Sequence, residues 1–194
     1  MPVLLVVVAY LLGTLPSAVW IASANGVDIA QFGSGNPGAS NVTRALGWRK
    51  GIWVYVLDAA KGAAAAGLGL WLDGRPIAYA CGAAAILGHM FPVFRQFRGG
   101  KGVATGSGVL VVLHPVLAPV SVVMWWVLSK VTGKAALGSI VVVALIPVGL
   151  FLFETPGWEF VAVGILCALI LLKHATNVMR LIRREEHSLR NGHG

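Results

Sequence analysis

Gly102 to Leu128 reads GVATGSGVLVVLHPVLAPVSVVMWWVL, an apolar run interrupted at His114-Pro115. Whether this run crosses a bilayer once or twice sets the side on which everything after it lies. Proline lacks a backbone N–H and drives the residue before it out of helical geometry, so the dipeptide marks a hinge. Charge parity then chooses the topology, because basic loops favour the cytoplasm. Arg44 to Lys50, Arg95 to Lys101, Lys130 to Lys134 and the tail bearing Arg180, Arg183, Arg184 and Arg190 are all basic. A single crossing would put the tail opposite the earlier loops. Two short, tilted helices hinged at His114-Pro115 would put every basic segment on one side. The sequence therefore predicts a helical hairpin.

The remainder of the chain fits an all-α, polytopic integral membrane protein forming a single domain over 1–194. Hydrophobic residues make up 57% and charged residues 11% of the sequence, with a mean hydropathy of +0.81. Such a chain has lipid as its main solvent. A first span is predicted over Pro2 to Ala24, kinked or closely packed at Gly13, Pro16 and Ser17. It is too long for a signal peptide, and no basic residue precedes it. Gly51 to Leu72 forms a second span. A third follows the turn Asp73-Gly74-Arg75-Pro76 and ends near Phe91-Pro92. After the two short helices come a sixth span from Ala135 to Phe153, an acidic external turn from Glu154 to Glu159, and a seventh span from Trp158 to about Leu181. The expected topology is seven transmembrane helices, two of them short, with the N-terminus outside and the C-terminus cytoplasmic.

Asp58 and Lys61 fall three residues apart on one face of the second span, where they read as a mutually neutralising ion pair. Cys81 and Cys167 sit in apolar segments without metal-ligand spacing, and no carboxylate and histidine cluster suggests a metal, so no metal and no cofactor are expected. The formal charge of +8 is a topology signal and a draw for phosphates or anionic headgroups. Neither nucleic acid nor an obligate protein partner is implied.

Three polar islands interrupt the apolar background. Gly33 to Arg44, GSGNPGASNVTR, has glycines that allow tight turns and expose N–H groups, while Ser34, Asn36, Ser40 and Asn41 add donors and can cap a following helix. Its Gly33-x-Gly35-x-x-Gly38 pattern copies a dinucleotide fingerprint, with Asp58 at a suitable distance, but that fingerprint needs strands, and the flanks here are of helix length. Arg95 to Thr105, RQFRGGKGVAT, is basic and glycine-rich, yet Gly102 follows Lys101 where a P-loop requires Ser or Thr. It holds a lysine and backbone N–H groups at a helix start, which favours an anion. Lys173 to Glu186, KHATNVMRLIRREE, places His174, Asn177 and Leu181 on one helical face, with Lys173 and Arg180 close by.

Taken together, GSGNPGASN, GHMFPVFRQFRGGKGVAT from Gly88 to Thr105, and KHATNVMRLIRREE resemble the three cytoplasmic motifs of the bacterial acyl-phosphate:glycerol-3-phosphate acyltransferases, the PlsY type. The resemblance covers nearly the whole chain. It implies a multi-pass enzyme of the bacterial cytoplasmic (inner) membrane, with its active site at the cytoplasmic face, that transfers a fatty acyl group from acyl phosphate to the sn-1 hydroxyl of glycerol 3-phosphate. The products would be lysophosphatidic acid and phosphate, for phospholipid biosynthesis. It also puts Ser34, Arg44, Lys101, His174 and Asn177 at the chemistry, and Gly35, Asn36, Ser40, Asn41, Gly99, Gly100, Gly102 and Ser139 at the substrates. Three positions depart from the family pattern. Ser40 stands where many relatives have threonine, Ala136 where serine is frequent, and Arg184 where glycine is usual, which would let the last helix run on and leaves the role of Glu186 open.

The residue chemistry agrees with this reading. Arg44 and Lys101 suit phosphate, and an acyl phosphate needs mainly positioning and oxyanion stabilisation rather than a covalent intermediate. Either His174 or a substrate phosphate can accept the hydroxyl proton, and the resemblance favours the phosphate. The competing class is a membrane transporter of a phosphorylated solute, which would also need basic residues and glycine-broken helices. It would place them near the midplane instead of at helix ends.

Overall fold

The computed structural model describes residues 1–189. Among these the architecture is all-helical, and Arg190 lies outside them. In the first apolar run, α1 (Pro2–Gly13) and α2 (Ser17–Ser23) are separate helices. Pro16 cannot donate a backbone hydrogen bond and forces Leu15 out of helical geometry. Turned out of the helical ladder, the Leu15 carbonyl accepts from the Ser17 amide at 3.1 Å and from Lys61 Nζ at 3.0 Å. A loop then leads to the short α3 (Ala39–Leu46), whose N-cap is Gly38 and which has no side-chain cap. The expected capping by the polar residues of this stretch does not occur.

The second and third predicted spans are two helical arms, together α4 (Trp48–Met90), joined at the non-helical Asp73 and Gly74. Gly74 takes φ +78, a left-handed conformation that a residue without Cβ adopts freely. Here the chain reverses. A Cβ at Gly69, before the break, would strike the backbone of Ala78 after it. Farther from the break, Lys61 on the first arm meets His89 on the second. α4 packs against α1 on one side and α5 (Val103–Leu113) on the other. Small residues set these approaches. A Cβ on Gly13 would overlap the Ala85 carbonyl, one on Gly62 the Thr105 carbonyl, and one on Gly108 the Ala59 carbonyl. In lipid, such backbone proximity takes over the role that the hydrophobic effect has in water.

The chain turns again at His114-Pro115, between α5 and α6 (Leu117–Thr132). Lys101 before α5 bonds Asn177, and Gly133 after α6 accepts from the Leu189 amide. Both outer ends of the α5–α6 pair thus meet the C-terminal segment, while His114 sits at the other end beside Glu159. α7 (Ala135–Leu152) and α8 (Gly157–Leu172) complete a core in which Ile86, Met90, Leu113, Leu150 and Ile170 are buried together.

Two expectations require correction. Glu159 is not an exposed residue of the acidic turn. It is 2% exposed in the first turn of α8, with its carboxylate on Arg75 at 2.6 and 2.7 Å. The last span is also not one helix to Leu181. It breaks at Lys173 and His174, and α9 (Ala175–Ile182) leaves α8 at 52°. Pro2–Ser23, Trp48–Arg95 and Ala135–Leu152 are long and apolar enough to cross a bilayer, as is α8 with α9 if the bent pair is one span. α5 and α6 are shorter apolar helices.

Candidate active site

The three polar islands converge at the end of the bundle that holds the C-terminal segment. Lys101, in the loop before α5, donates to Asn177 Oδ1 of α9. Asn177 Nδ2 donates to Glu186 Oε2 at 2.9 Å, and Glu186 Oε1 lies 4.0 Å from the Arg44 guanidinium. Arg44, carried by α3, also donates through Nε to the Ser188 carbonyl and through NH2 to that of His187, each at 3.2 Å. One polar chain, Lys101–Asn177–Glu186–Arg44, therefore joins all three islands. Burial pushes the Lys101 ammonium down to about 8; Glu186 opposes this, and the cations Arg180, Arg44 and Lys173 add to it. The site holds more positive charge than its carboxylate balances, which is the condition for binding an anion.

Beside this chain opens a cavity of about 610 Å³, with Ser34, Gly35, Asn36, Gly99, Lys101 and Arg180 in its wall. Arg95, Arg98 and Thr176 also face it. The sequence offered no reason to prefer these three, because a basic loop reads equally well as a topology signal. Gly35 needs its left-handed φ of +67, and Ser34 Oγ accepts from the Asn36 amide at 3.4 Å. Gly99 and Gly100 fit only as glycines, since a Cβ on either would run into His89. Gly102, at φ +86, opens α5 as its N-cap.

His174 is 3% exposed at the junction of α8 and α9. Its Nδ1 lies 2.8 Å from the Ile170 carbonyl, an acceptor only, so Nδ1 carries the proton and Nε2 the lone pair. That lone pair can accept a hydrogen bond from a hydroxyl group.

Other predicted site residues lie elsewhere. Asn41 is buried beneath the first loop. Its Nδ2 donates to the carbonyls of Phe32 at 2.9 Å and Ile29 at 3.3 Å, and its Oδ1 accepts from the Ser34 amide at 3.3 Å. It shapes the loop that presents Ser34. Ser40 sits half-buried in the first turn of α3, outside the cavity wall. Ser139 Oγ is engaged between α6 and α7, donating to the Ala135 carbonyl at 3.0 Å and accepting from Trp125 Nε1 at 2.9 Å.

Arg184 does not extend the last helix. It adopts φ +60, and the Glu185 amide returns to the Arg180 carbonyl at 2.8 Å, the closure usual where a helix ends on a left-handed residue. The arginine takes the conformation that a glycine would favour, and Glu186 is thereby turned inward.

The sequence profile of a family described as Glycerol-3-phosphate acyltransferase matches residues 3–184. Glycerol-3-phosphate acyltransferase 1 of Deinococcus radiodurans is 38% identical, covering 96% of this chain and 94% of that one. The glycerol-3-phosphate acyltransferase of Aquifex aeolicus is 41% identical, over 94% and 96% respectively. A crystal structure of PlsY (YgiH), an integral membrane glycerol 3-phosphate acyltransferase in its glycerol 3-phosphate form, superposes with a TM-score of 0.91 at 38% identity, over 96% of this chain and 94% of that one. The lysophosphatidic acid form of the same protein gives 0.89.

Proposed function

The chain belongs to the glycerol-3-phosphate acyltransferase family and is a membrane acyltransferase of glycerol 3-phosphate, and we propose that its donor is an acyl phosphate and its acceptor the sn-1 hydroxyl. The observation that carries this reading is the Lys101–Asn177–Glu186–Arg44 chain, with its surplus of cations, at a cavity large enough for two phosphorylated groups.

In this reading Lys101 and the amides around Gly99 and Gly102 hold one phosphate, Gly100 being committed to the His89 carbonyl, and Arg44 exchanges the carbonyls of His187 and Ser188 for a substrate oxygen. The loop of Ser34, Gly35 and Asn36 supplies further donors. Asn177 orients Lys101, and His174 Nε2 accepts a hydrogen bond from a glycerol hydroxyl. The sn-1 oxygen attacks the acyl carbonyl carbon, the bond between that carbon and the oxygen bridging to phosphorus breaks, and inorganic phosphate departs with the electron pair. The hydroxyl proton passes to a substrate phosphate, whose second pKa of about 6 makes it a competent acceptor. An acyl phosphate is already activated, so positioning and electrostatics carry the rate.

The topology that suits this chemistry has seven passages, the N-terminus outside, and the site at the cytoplasmic face of the bacterial inner membrane. It is supported by the chain reversals at Asp73-Gly74 and His114-Pro115 and by the gathering of basic segments at the site end. The test is release of inorganic phosphate from acyl phosphate by purified protein. Release should depend on glycerol 3-phosphate, and acyl-CoA and acyl-carrier protein should not replace the donor. Turnover with either of those thioesters alone would overturn the donor assignment.

A further inference from the structure

The reaction chemistry makes no use of a second group of buried charges near the site. Asp58 and Lys61, on the first arm of α4, are 2% and 5% exposed. Lys61 Nζ has three donors and meets three acceptors: Asp58 Oδ1 at 2.9 Å, the Leu15 carbonyl at 3.0 Å and His89 Nδ1 at 2.9 Å. An ammonium group only donates, so His89 Nδ1 accepts and the ring proton lies on Nε2. Ser17 donates to the same Asp58 oxygen. Pro16 makes this network possible, because the break it imposes releases the Leu15 carbonyl.

His89 is also the seat of the glycine loop. The Gly100 amide donates to the His89 carbonyl at 3.0 Å. A Cβ at Gly99 would overlap that carbonyl, and one at Gly100 would overlap the imidazole at Nε2. A cavity of about 20 Å³ lies between Lys61, His89 and Gly100 and shares Pro37, Arg95 and Gly99 with the wall of the large cavity. The loop that presents Lys101 therefore rests on an imidazole whose position is set by Lys61, and Lys61 is held by Asp58.

We propose that Asp58, Lys61 and His89 are positioning residues for glycerol 3-phosphate, fixing the 99–102 loop so that Lys101 meets the substrate phosphate. Apolar residues of equal volume would fill the space but would not orient the ring, which a saturated hydrogen-bond network does. This rests on the assignment of Lys101 to a substrate phosphate.

The test compares Asp58→Asn combined with Lys61→Met, which leaves no unpaired buried charge, with His89→Leu and His89→Gln. Melting temperature, kcat and equilibrium binding of radiolabelled glycerol 3-phosphate are measured with Lys101 present and in a Lys101→Ala background. The charge-free double variant is expected to melt within a few degrees of the parent while binding about tenfold more weakly. In the Lys101→Ala background the same change should cost less than about twofold, because the network acts through the loop that carries Lys101. His89→Gln, which keeps an acceptor for Lys61, should recover most of the affinity lost in His89→Leu. If the double variant fails to fold, the His89 pair carries the same comparison. Unchanged affinity in a folded variant, or an equal loss in both backgrounds, would overturn the proposal. If Lys101→Ala alone binds normally, the phosphate assignment of Lys101 fails. The positioning role, which acts through Lys101, falls with it, whereas the expected loss in Lys101→Ala with no effect of the network variants would overturn the positioning role alone.

Discussion

Two polar clusters at opposite ends of this bundle look alike as inventories and differ in kind. At one end Arg75 grips Glu159 with two bonds of 2.6 and 2.7 Å, Tyr79 donates to the same carboxylate at 2.6 Å, and His114 Nε2 lies 2.5 Å from the Tyr79 oxygen. Charge is matched there and every strong donor has an acceptor. The cluster pins the α4 break, the α5–α6 turn and the start of α8 to one another. At the other end Lys101, Arg44 and Arg180 surround the buried carboxylate of Glu186 beside a cavity of about 610 Å³. Among the described residues Glu186 Oε1 has no hydrogen-bond partner, and Arg44 is held mostly by backbone carbonyls. A saturated, neutral cluster fastens helices, whereas an unbalanced one beside open volume can bind an anion.

The sharpest way to break this contrast is to remove one member from each end. Lys101→Ala or Arg44→Ala should lower turnover by about a hundredfold or more with the melting temperature nearly unchanged, because each removes a charge aimed at a phosphate. Glu159→Ala should do the reverse. It leaves the buried Tyr79 hydroxyl without its carboxylate acceptor, while Arg75, 43% exposed, keeps the Leu113 carbonyl; stability should fall by roughly 1–3 kcal/mol, while the protein that remains folded keeps its affinity for glycerol 3-phosphate. A stable but inactive Glu159→Ala would erase the distinction.

A smaller effect is expected at His174. If substrate phosphate accepts the proton, His174→Asn keeps part of a hydrogen bond and should retain measurable turnover, a few per cent or more of the parent. Complete loss in a folded variant that still binds glycerol 3-phosphate would make the imidazole the base.

The pH dependence of binding refines the picture further. Lys101 is pushed down to about 8, and phosphate prefers the ammonium form. Below that pH the lysine is charged and binding is strong; as pH rises through about 8 the proton is lost and the KM for glycerol 3-phosphate should climb. Lys101→Arg, charged throughout, should flatten that rise. A KM that stays level to pH 9.5 in the parent protein would show that Lys101 does not contact the phosphate.

The smallest expected change lies at Arg184, where φ is +60. Arg184→Gly should raise stability by about 1 kcal/mol, read as a higher melting temperature with turnover unaltered. A loss of activity would mean that the arginine itself takes part in the site.

Much of this architecture was legible in the chain because it is written locally. Apolar runs of spanning length mark a membrane protein, Pro16, Gly74 and Pro115 mark the breaks, and the three polar islands point to one end of the bundle. Asp58 and Lys61 were readable as a pair because three residues bring them onto one helical face. Periodicity, however, reports only contacts within an element. It could not show that Glu159 belongs to Arg75, 84 positions earlier, or that Arg44 holds carbonyls 143 and 144 positions later. Nor could it show that Asn41 shapes its loop from beneath or that His89 carries the glycine loop. Arg184 misled for a related reason. Its side chain argues for a continuing helix, but the inward turn of Glu186 toward Asn177 and Arg44 requires the helix to stop there. Local composition determined that this protein lives in lipid and where most of its early helices break; the distant partners that satisfy each buried polar group were decided by tertiary packing, since in lipid no water is present to satisfy them instead.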